Sequence, residues 1–337
     1  MESDESFLKS TILGFRLSQV LHVFAKLGVA DLLAEGPLPV PVLAERTGAH
    51  QESLHRVLHV GRAVGLLDEG PRDTFRLTGR GHLMRRDTEG SFWARACQTG
   101  ESWQWDSWGG LLQAVTTGTS AFEATTGLNS FDYFDRSSGA GDTMMDRVSL
   151  EAKRRGREIA EVFDFSTTAR LVDVGGGRGA VLAEILDRHR HLTGVLFDLP
   201  YAVAGAGALL EQADVLDRCE VVAGDFRTDL PADGDVCLLS AVLHSWSDED
   251  AVALLRRCLA RFQRVIVVDE VVDAGDAPLG VLLKDLQLMV FSGGRHRALE
   301  EYRVLFERAG GVLVRQAPIG ERELLMEGAV DASRCLG

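Results

Sequence analysis

Five residues constrain the fold of this chain more than any other segment: Gly175-Gly176-Gly177-Arg178-Gly179. They follow an apolar run at residues 170–174 and lead directly into a segment with helical spacing at 180–189. Glycines at a strand-to-helix turn let the backbone bend sharply and let a ligand approach without meeting a Cβ atom. The segment therefore predicts a ligand-binding turn at the carboxyl end of a strand.

Apolar strands alternate with helical segments from residue 170 to the end of the chain. Continuous apolar runs are typical of parallel strands that helices cover on both faces. The further strands are predicted at 194–198, 219–222, 235–240 and 264–268, with a terminal antiparallel pair at 311–314 and 323–326. The predicted fold class is α/β, a doubly wound Rossmann-like sheet whose ligands bind outside the carboxyl ends of the strands.

The first 90 residues predict three helices and a two-stranded hairpin, which is the winged-helix arrangement. One short helix, at 41–48, ends at Gly48, and the hairpin strands flank a turn at 70–73. Many winged helices bind DNA, but this segment holds 11 basic and 12 acidic side chains. Because a DNA-binding domain needs a basic face, we expect contacts with another subunit and with the catalytic half instead.

Composition excludes several other partners. The 337 residues carry a formal net charge of −14, which disfavours nucleic acid and anionic membranes. No apolar run reaches the roughly 18–20 residues of a spanning helix, and the first residues lack the basic region of a signal peptide. The five cysteines contain no Cys-x-x-Cys and predict reduced thiols in a cytoplasmic protein: Cys97, Cys219, Cys237, Cys258 and Cys335.

No metal site is expected. His55 and His59 lie four residues apart on one helical face, but no third ligand accompanies them in the sequence. They are interpreted as surface residues.

The glycine turn fits two cofactors. Its spacing matches Gly-x-Gly-x-Gly, typical of S-adenosylmethionine (SAM) sites, and also the dinucleotide fingerprint Gly175-x-Gly177-x-x-Ala180. Asp173, two residues before the first glycine, would repel a pyrophosphate and attract the ammonium and sulfonium groups of SAM. Asp198 ends the second strand, where a carboxylate accepts hydrogen bonds from the ribose hydroxyls of either cofactor.

Asp225 and Phe226 follow the third strand and offer a carboxylate and an aromatic face to adenine. Each acidic residue alone is equally well interpreted as an ordinary loop residue. Their joint position at the ends of successive strands favours a cofactor site, and Asp173 favours SAM.

With these residues in place, the sequence resembles the SAM-dependent O-methyltransferases related to plant caffeic-acid and bacterial polyketide-tailoring enzymes. The resembling stretches, within residues 10–330, are LVDVGGGRG at 171–179, LFDLP at 196–200, AGDF at 223–226, AVLHSWSDED at 241–250 and DLQLMVFSGGRHR at 285–297. The resemblance implies that the first half forms an intertwined homodimer. It also implies contacts to SAM from Gly175, Asp198, Asp225, Phe226 and Ser240.

The patterns and the resemblance together predict three domains. A winged-helix-like dimerisation domain spans 1–90, a helical linker and substrate-pocket region spans 91–165, and a SAM-binding catalytic domain spans 166–337. The middle region contains a group of aromatic side chains, of which Trp103, Trp105 and Trp108 lie close together in sequence. Core packing is their default interpretation, with some of the group lining a pocket.

His244 is the histidine best placed for chemistry, because it follows the fourth strand at its carboxyl end. Ser247 then begins a helix, with Asp250 as the third residue of its first turn. We expect His244 to act as a general base toward a hydroxyl group, with a carboxylate against its imidazole. Asp269 and Glu270 end the adjacent fifth strand and are both open for that role; the resemblance favours Asp269.

Two positions depart from the plant enzymes. The second carboxylate that follows their paired glycines is replaced here by His296, and their His-Asp-Trp is His244-Ser245-Trp246. A contact with substrate or base and a solvated position are equally good interpretations of His296. The acceptor pocket is expected to be apolar, although core packing explains each of its candidate residues alone: Met145, Met289 and Phe291.

The sequence therefore predicts a SAM-dependent O-methyltransferase that methylates a hydroxyl group, of phenolic type, on a small aromatic natural product. Two alternatives remain at this point. An NAD-dependent oxidoreductase would need a hydride-relay residue and gives no reason for the winged-helix half. A ligand-sensing winged-helix regulator is disfavoured by the near-neutral charge of that half.

Overall fold

The computed structural model describes residues 3–137, 140–231, 234–272 and 277–331. The chain forms two compact units, Met1–Trp105 and Asp106–Gly337, so the predicted linker region 91–165 contributes to both. Within the described ranges, no helix combines the length and the apolar character that crossing a membrane requires.

The first unit combines helices with a small antiparallel sheet. Its helices are α1 (Asp4–Lys26), α2 (Val29–Leu32), α3 (Val40–Thr47), α4 (Gln51–Ala63), α5 (Gly79–His82) and α6 (Trp93–Thr99), and α7 (Ser102–Gly109) begins at its end. Its strands are β1 (Leu38–Pro39), β2 (Leu67–Gly70) and β3 (Thr74–Leu77). The predicted hairpin is confirmed as β2–β3, and the two-residue strand β1, which the sequence did not predict, pairs with the other edge of β3.

Local residue chemistry explains this unit. Gly48 ends α3 in a left-handed conformation, with a φ of 69°, as its glycine predicted. The core forms where α1, α3, α4 and the hairpin meet, around the fully buried side chains of Phe24, Leu43, Leu58 and Phe75. Charged residues occupy the outer face of α4, so the helix is amphipathic and docks on the hairpin by its apolar face.

The second unit is the predicted α/β fold. Its helices are α8 (Leu111–Thr117), α9 (Ala121–Thr126), α10 (Ser130–Arg136), α11 (Ala140–Val162), α12 (Ala180–Arg188), α13 (Pro200–Val203), α14 (Ala206–Gln212), α15 (Asp248–Arg261), α16 (Leu279–Ser292) and α17 (Leu299–Ala309). Its strands are β4 (Arg170–Val174), β5 (Thr193–Asp198), β6 (Cys219–Ala223), β7 (Val236–Ser240), β8 (Arg264–Glu270), β9 (Gly311–Ile319) and β10 (Glu323–Val330). Two short 3-10 turns lie at Leu216–Arg218 and Leu243–Ser245.

These seven strands form one sheet in the order β6-β5-β4-β7-β8-β10-β9. The first five are parallel, and β10 and β9 are antiparallel, which confirms the predicted terminal pair. Successive residues of β4 point to opposite faces: Leu171 joins the core cluster that contains α12, and Val172 joins the one that contains α15. Burial on both faces is the reason for the continuous apolar runs.

The strand order reverses between β4 and β7, because the chain leaves β4 toward one side of the sheet and later returns to the other. Ligands of doubly wound sheets bind at such a point, outside the carboxyl ends of the strands. The four described cysteines, Cys97, Cys219, Cys237 and Cys258, are free thiols as predicted. Cys335 lies outside the described residues.

Candidate functional site

A cleft opens where the strand order reverses, at the carboxyl ends of β4 to β7. Four of the seven predicted cofactor residues line it: Gly175, Asp198, Asp225 and Phe226. The rest of its wall comes from the loops after β5, β6 and β7 and from α10. These further lining residues are Phe131, Leu199, Arg227, Ala241, Val242, Ser245 and Trp246.

Gly175 must be glycine for two reasons. Its φ is 75°, a left-handed conformation that side-chain-bearing residues rarely adopt. A Cβ atom built on it would lie 2.7 Å from Val242 and 3.7 Å from Phe226, two residues of the cleft wall. The absence of a side chain therefore keeps this part of the cleft open.

Asp198 joins the glycine loop to the end of β5. Its Oδ2 accepts a hydrogen bond from the backbone N–H of Gly177 at 2.8 Å, and its Oδ1 accepts one from Leu199 at 2.7 Å. Burial raises the pKa of Asp198 to about 6; the two backbone hydrogen bonds oppose that shift, and the nearby charge of Asp225 adds to it. Gly177 thus contributes to the site through its backbone.

Asp173 and Ser240 lie beneath the cleft and not on its wall. Asp173 is fully buried, and a Cβ atom on Gly176 would meet its Oδ2 at 2.5 Å, so its carboxylate lies directly under the glycine loop. Burial raises the pKa of Asp173 to about 7, and the charge of Asp198 adds to the shift. Neither its oxygens nor the Ser240 hydroxyl has a hydrogen-bond partner in the described part of the chain.

An ion-pair network and a ring stack close one side of the cleft. Arg227 donates hydrogen bonds to both oxygens of Asp225, at 3.0 and 2.8 Å, and one to Asp132 of α10 at 3.1 Å. Partial burial tends to raise the pKa of Asp225, but the hydrogen bonds from Arg227 outweigh it and lower the pKa. Phe131 stacks on Trp246, with centroids 4.9 Å apart and planes 5° from parallel. Sequence reasoning placed Phe131 in the aromatic group of the middle region, for which core packing was the default and a pocket-lining role stayed open, and it missed Arg227.

His244 lies on the 3-10 turn after β7, with its side chain 12% exposed. Its Nδ1 is 2.6 Å from Oδ1 of Asp269, whose side chain is completely buried at the end of β8. Ala241, the residue directly after β7, has a φ of 57°, a strained conformation for alanine, in the turn that leads to His244. Of the two carboxylates left open by the sequence, Asp269 is the one against the imidazole.

Glu270 faces a different set of groups. It accepts a hydrogen bond from Lys284 at 2.6 Å and lies 3.7 Å from Nε2 of His296. The His296 side chain is 2% exposed, so the solvated interpretation is wrong: the paired glycines bring it inward, 6.3 Å from the His244 ring and perpendicular to it. Burial lowers the pKa of His296, and Glu270 only partly offsets this.

Arg295 and Arg297, which follow the paired glycines, hold the turn that carries His244. Sequence reasoning predicted neither of these contacts. The buried guanidinium of Arg297 donates to the carbonyls of Leu243 at 2.8 Å and Trp246 at 2.7 Å, on either side of His244. Arg295 donates its backbone N–H to the His244 carbonyl at 2.9 Å. The neutralising partner of Arg297 is Asp248, at 2.8 Å.

The three candidate acceptor residues lie in different surroundings. Met145 on α11 is buried with its Sδ 3.7 Å from the position of a Cβ on Gly177, so it borders the glycine loop. Phe291 is buried in an aromatic cluster, 4.8 Å from Phe122 by ring centroids, which agrees with the core-packing interpretation. Met289 is half-buried on α16.

The first unit adds a neighbour that the sequence did not indicate. The sequence shows no third ligand beside His55 and His59, but the fold brings Glu69 of β2 to them. The one ligand atom that each side chain offers lies within 4.8 Å of the other two. Sequence reasoning missed Glu69 because it lies on a strand, outside the helical spacing of the two histidines, and reaches them only through the packing of α4 on the hairpin.

Comparisons with known proteins cover most of the chain. Residues 108–311 match the family model of an O-methyltransferase domain, and residues 10–86 match that of an O-methyltransferase dimerisation domain. Among curated relatives, phenazine O-methyltransferase PhzM of Lysobacter antibioticus is 34% identical (93% of this chain, 92% of the relative). Mitomycin biosynthesis 6-O-methyltransferase of Streptomyces lavendulae is 32% identical (94% and 91%). Aclacinomycin 10-hydroxylase RdmB of Streptomyces purpurascens is also 32% identical (90% and 83%).

Solved structures give the same result. The crystal structure of LaPhzM has a TM-score of 0.92 at 33% identity, over 97% of this chain and 99% of that one. NcsB1, an O-methyltransferase from neocarzinostatin biosynthesis, was solved in complex with SAM and 2-hydroxy-5-methyl naphthoic acid; it has a TM-score of 0.82 at 28% identity, over 94% and 96% of the two chains.

Proposed function

Because this chain belongs to the O-methyltransferase family, in both its dimerisation and its catalytic part, we propose that it methylates a phenolic hydroxyl group of a small aromatic natural product, with His244 as general base. Family membership confirms the predicted enzyme class and the predicted cofactor, SAM. The oxidoreductase and regulator alternatives find no support. The observation that carries the residue assignment is the His244–Asp269 pair beside the cleft at the carboxyl ends of the strands.

The residues of the cleft fit SAM. Asp198 suits the ribose hydroxyls, the Phe226 ring and Asp225 suit adenine, and the bare backbone at Gly175 admits the ligand closely. Asp173 adds a further acidic group below the loop, so the surroundings favour a cation over a pyrophosphate. When bound, SAM supplies an electrophilic methyl group on a positively charged sulfur.

His244 prepares the acceptor oxygen. Nδ1 of His244 lies 2.6 Å from Oδ1 of Asp269, and in this proposal a proton on Nδ1 leaves Nε2 as the atom that takes the proton of the acceptor hydroxyl. The imidazolium that forms is stabilised by the negative charge of Asp269, which water screens little because the carboxylate is buried. Arg297 and Arg295 keep the turn in position while the proton moves.

The protein acts as a homodimer in this proposal. One face of α1 leaves four large apolar side chains more than half exposed: Phe7, Leu8, Ile12 and Phe15. Contiguous exposed apolar surface is typical of a protein interface, and the match to a dimerisation domain supports that use here. The free thiols of the described residues support a reducing compartment, the cytoplasm.

The test separates cofactor binding from chemistry. His244→Ala should bind SAM within about threefold of the wild type by calorimetry but lower kcat with a phenolic acceptor by about 10²–10⁴. Asp269→Asn should do the same, because it loses the charge that stabilises the imidazolium. His191→Ala is the matched control, since His191 contacts the carbonyl of Phe165, away from the cleft.

Mass spectrometry of the product identifies the reaction. A gain of one methylene on the acceptor supports methyl transfer, whereas a gain of one oxygen would assign the chain to hydroxylation. No SAM binding by the wild type would refute the proposed function. Nearly intact turnover in His244→Ala would refute general-base catalysis alone.

A further inference from the structure

The first unit contains a group of three metal-ligating side chains that methyl transfer does not use. His55 and His59 lie one turn apart on α4 and therefore on one face of the helix. Glu69 lies on β2, the strand that α4 reaches directly through the turn at 64–66. The three offered ligand atoms all lie within 4.8 Å of one another, on two elements of one compact unit.

One buried ring supports the two histidines. Both imidazoles meet the ring of Phe75 edge-on, with centroid distances of 6.1 and 5.9 Å. Phe75 is also the residue opposite Glu69 in the β2–β3 ladder. Contacts of this kind favour a metal site, because ligand side chains that are already partly ordered lose less conformational freedom when they bind the ion.

The separations are close to those of a coordinated ion. Zinc bonds of about 2.0–2.2 Å in tetrahedral geometry place neighbouring ligand atoms about 3.4 Å apart. Nδ1 of His59 is already 3.5 Å from Oε2 of Glu69. Nε2 of His55 is buried and has no hydrogen-bond partner among the residues described. Since all three ligand atoms lie within 4.8 Å of one another, side-chain shifts of at most about 1.4 Å bring them to that spacing, and the partly exposed His59 permits such a shift.

Charge and access fit the same ion. Two neutral imidazoles and one carboxylate form the ligand set of several three-ligand zinc sites, which take water in the fourth position. Arg62 competes for Glu69, because its guanidinium lies 3.2 Å from the same carboxylate oxygen, but its side chain is 54% exposed and free to turn outward. An open cleft between the start of α4 and the hairpin turn, bordered by His50, His55 and Arg72, gives the ion a path.

We propose that His55, His59 and Glu69 bind one divalent transition-metal ion of the zinc class. The ion ties α4 to the hairpin and stabilises the first unit. It takes no part in methyl transfer, so this site is independent of the proposed function.

The experiment uses the full chain without an affinity tag, stripped with EDTA and titrated with zinc chloride in a calorimeter. We expect one ion per chain, and an apparent melting temperature that zinc raises. His55→Ala, His59→Ala and Glu69→Gln should each weaken zinc binding at least 10-fold and remove the thermal shift. His82→Ala, on α5 of the same unit and outside both the cluster and the cleft, is the matched control and should bind like the wild type.

Further measurements keep the result decisive. Glu69→Gln keeps the shape of the side chain, and its metal-free melting temperature shows that the unit still folds. Arg62→Gln should tighten zinc binding, because it releases the carboxylate. Cobalt in place of zinc should give the visible absorption of a four-coordinate ion with nitrogen and oxygen ligands.

Three outcomes would overturn the proposal. Binding that the three ligand variants leave unchanged would show an adventitious ion only. Thiolate charge-transfer bands in the cobalt spectrum would assign the ion to a cysteine. If the wild type binds zinc no more tightly than a His55→Ala, Glu69→Gln double variant, the three side chains form only a histidine–carboxylate contact and no metal site. SAM binding, measured in the same samples, should be unaffected in every case.

Discussion

Gly294→Ala should impair catalysis by moving the backbone that carries His244. A Cβ atom at Gly294 would lie 2.1 Å from the carbonyl oxygen of His244 and 2.8 Å from the backbone of Ser245. Real Cβ contacts essentially never fall below 3.0 Å, so the two segments must separate by at least 0.9 Å. The hydrogen bond from Arg295 to the His244 carbonyl stretches with them.

The displacement has two expected consequences. A misplacement of about 1 Å in a catalytic group costs on the order of 100-fold in rate, so kcat should fall by about that factor. Overpacking of this kind also costs about 1–3 kcal/mol of stability. SAM affinity should fall much less than kcat, because Gly294 lies outside the cleft and, of the residues that line it, the new methyl group meets only Ser245.

Steady-state kinetics with a phenolic acceptor, SAM calorimetry and thermal unfolding test this together. Gly280→Ala on α16 is the control: a Cβ atom there meets nothing within 4 Å, and alanine should stabilise the helix by about 0.5–1 kcal/mol. A Gly294→Ala enzyme with nearly normal kcat and melting temperature would refute the claim that this contact positions His244. A lost SAM affinity would instead show a general collapse of the site.

Three further predictions concern the buried charges of the site. Arg297→Lys keeps the charge but loses the forked hydrogen bonds on either side of His244, so kcat should fall about 10-fold with SAM affinity unchanged, by the same two assays. The folded-state pKa of Asp173, about 7, lies above its unfolded value, so its stabilising contribution is full below pH 4 and is lost as pH rises through 7. Asp173→Asn should therefore match the wild type in urea unfolding near pH 4 and exceed it by up to about 4 kcal/mol at pH 8; an equal difference at both pH values would contradict this. SAM affinity should fall as pH drops below the pKa of Asp198, about 6, and Asp198→Asn should flatten that dependence in calorimetry between pH 5 and 8.

The parts of this molecule that local patterns determine were predictable. Continuous apolar runs identify β4, β5, β7 and β8, because burial on both faces leaves few polar positions, whereas β6 at the edge of the sheet is mostly exposed. Once the strands are parallel, residues that follow them share one edge of the sheet. That is why Asp198, Asp225 and Phe226 were expected together and line one cleft.

Contacts between distant segments were not predictable in the same way. The sequence does not indicate that Arg297 supports the His244 turn, since a charged residue after two glycines normally indicates a solvated loop. In the structure Arg297 is only 1% exposed. His296 was open between a buried and a solvated position for the same reason. Glu69 joined His55 and His59 only through tertiary packing, and Phe131 reached the cleft only because α10 crosses it.

The acidic residues around the cleft have a consequence for the reaction cycle. Asp173, Asp198 and Asp225 lie close enough that the charge of one raises the pKa of the next. A positively charged sulfur relieves that repulsion, whereas the neutral thioether left after methyl transfer does not. Because the carboxylates of Asp173 and Asp198 are poorly solvated, the difference is screened less than it would be in water. With SAM at the proposed site, these same charges, whose burial lowers the stability of the fold above about pH 4, would favour the methyl donor over its product.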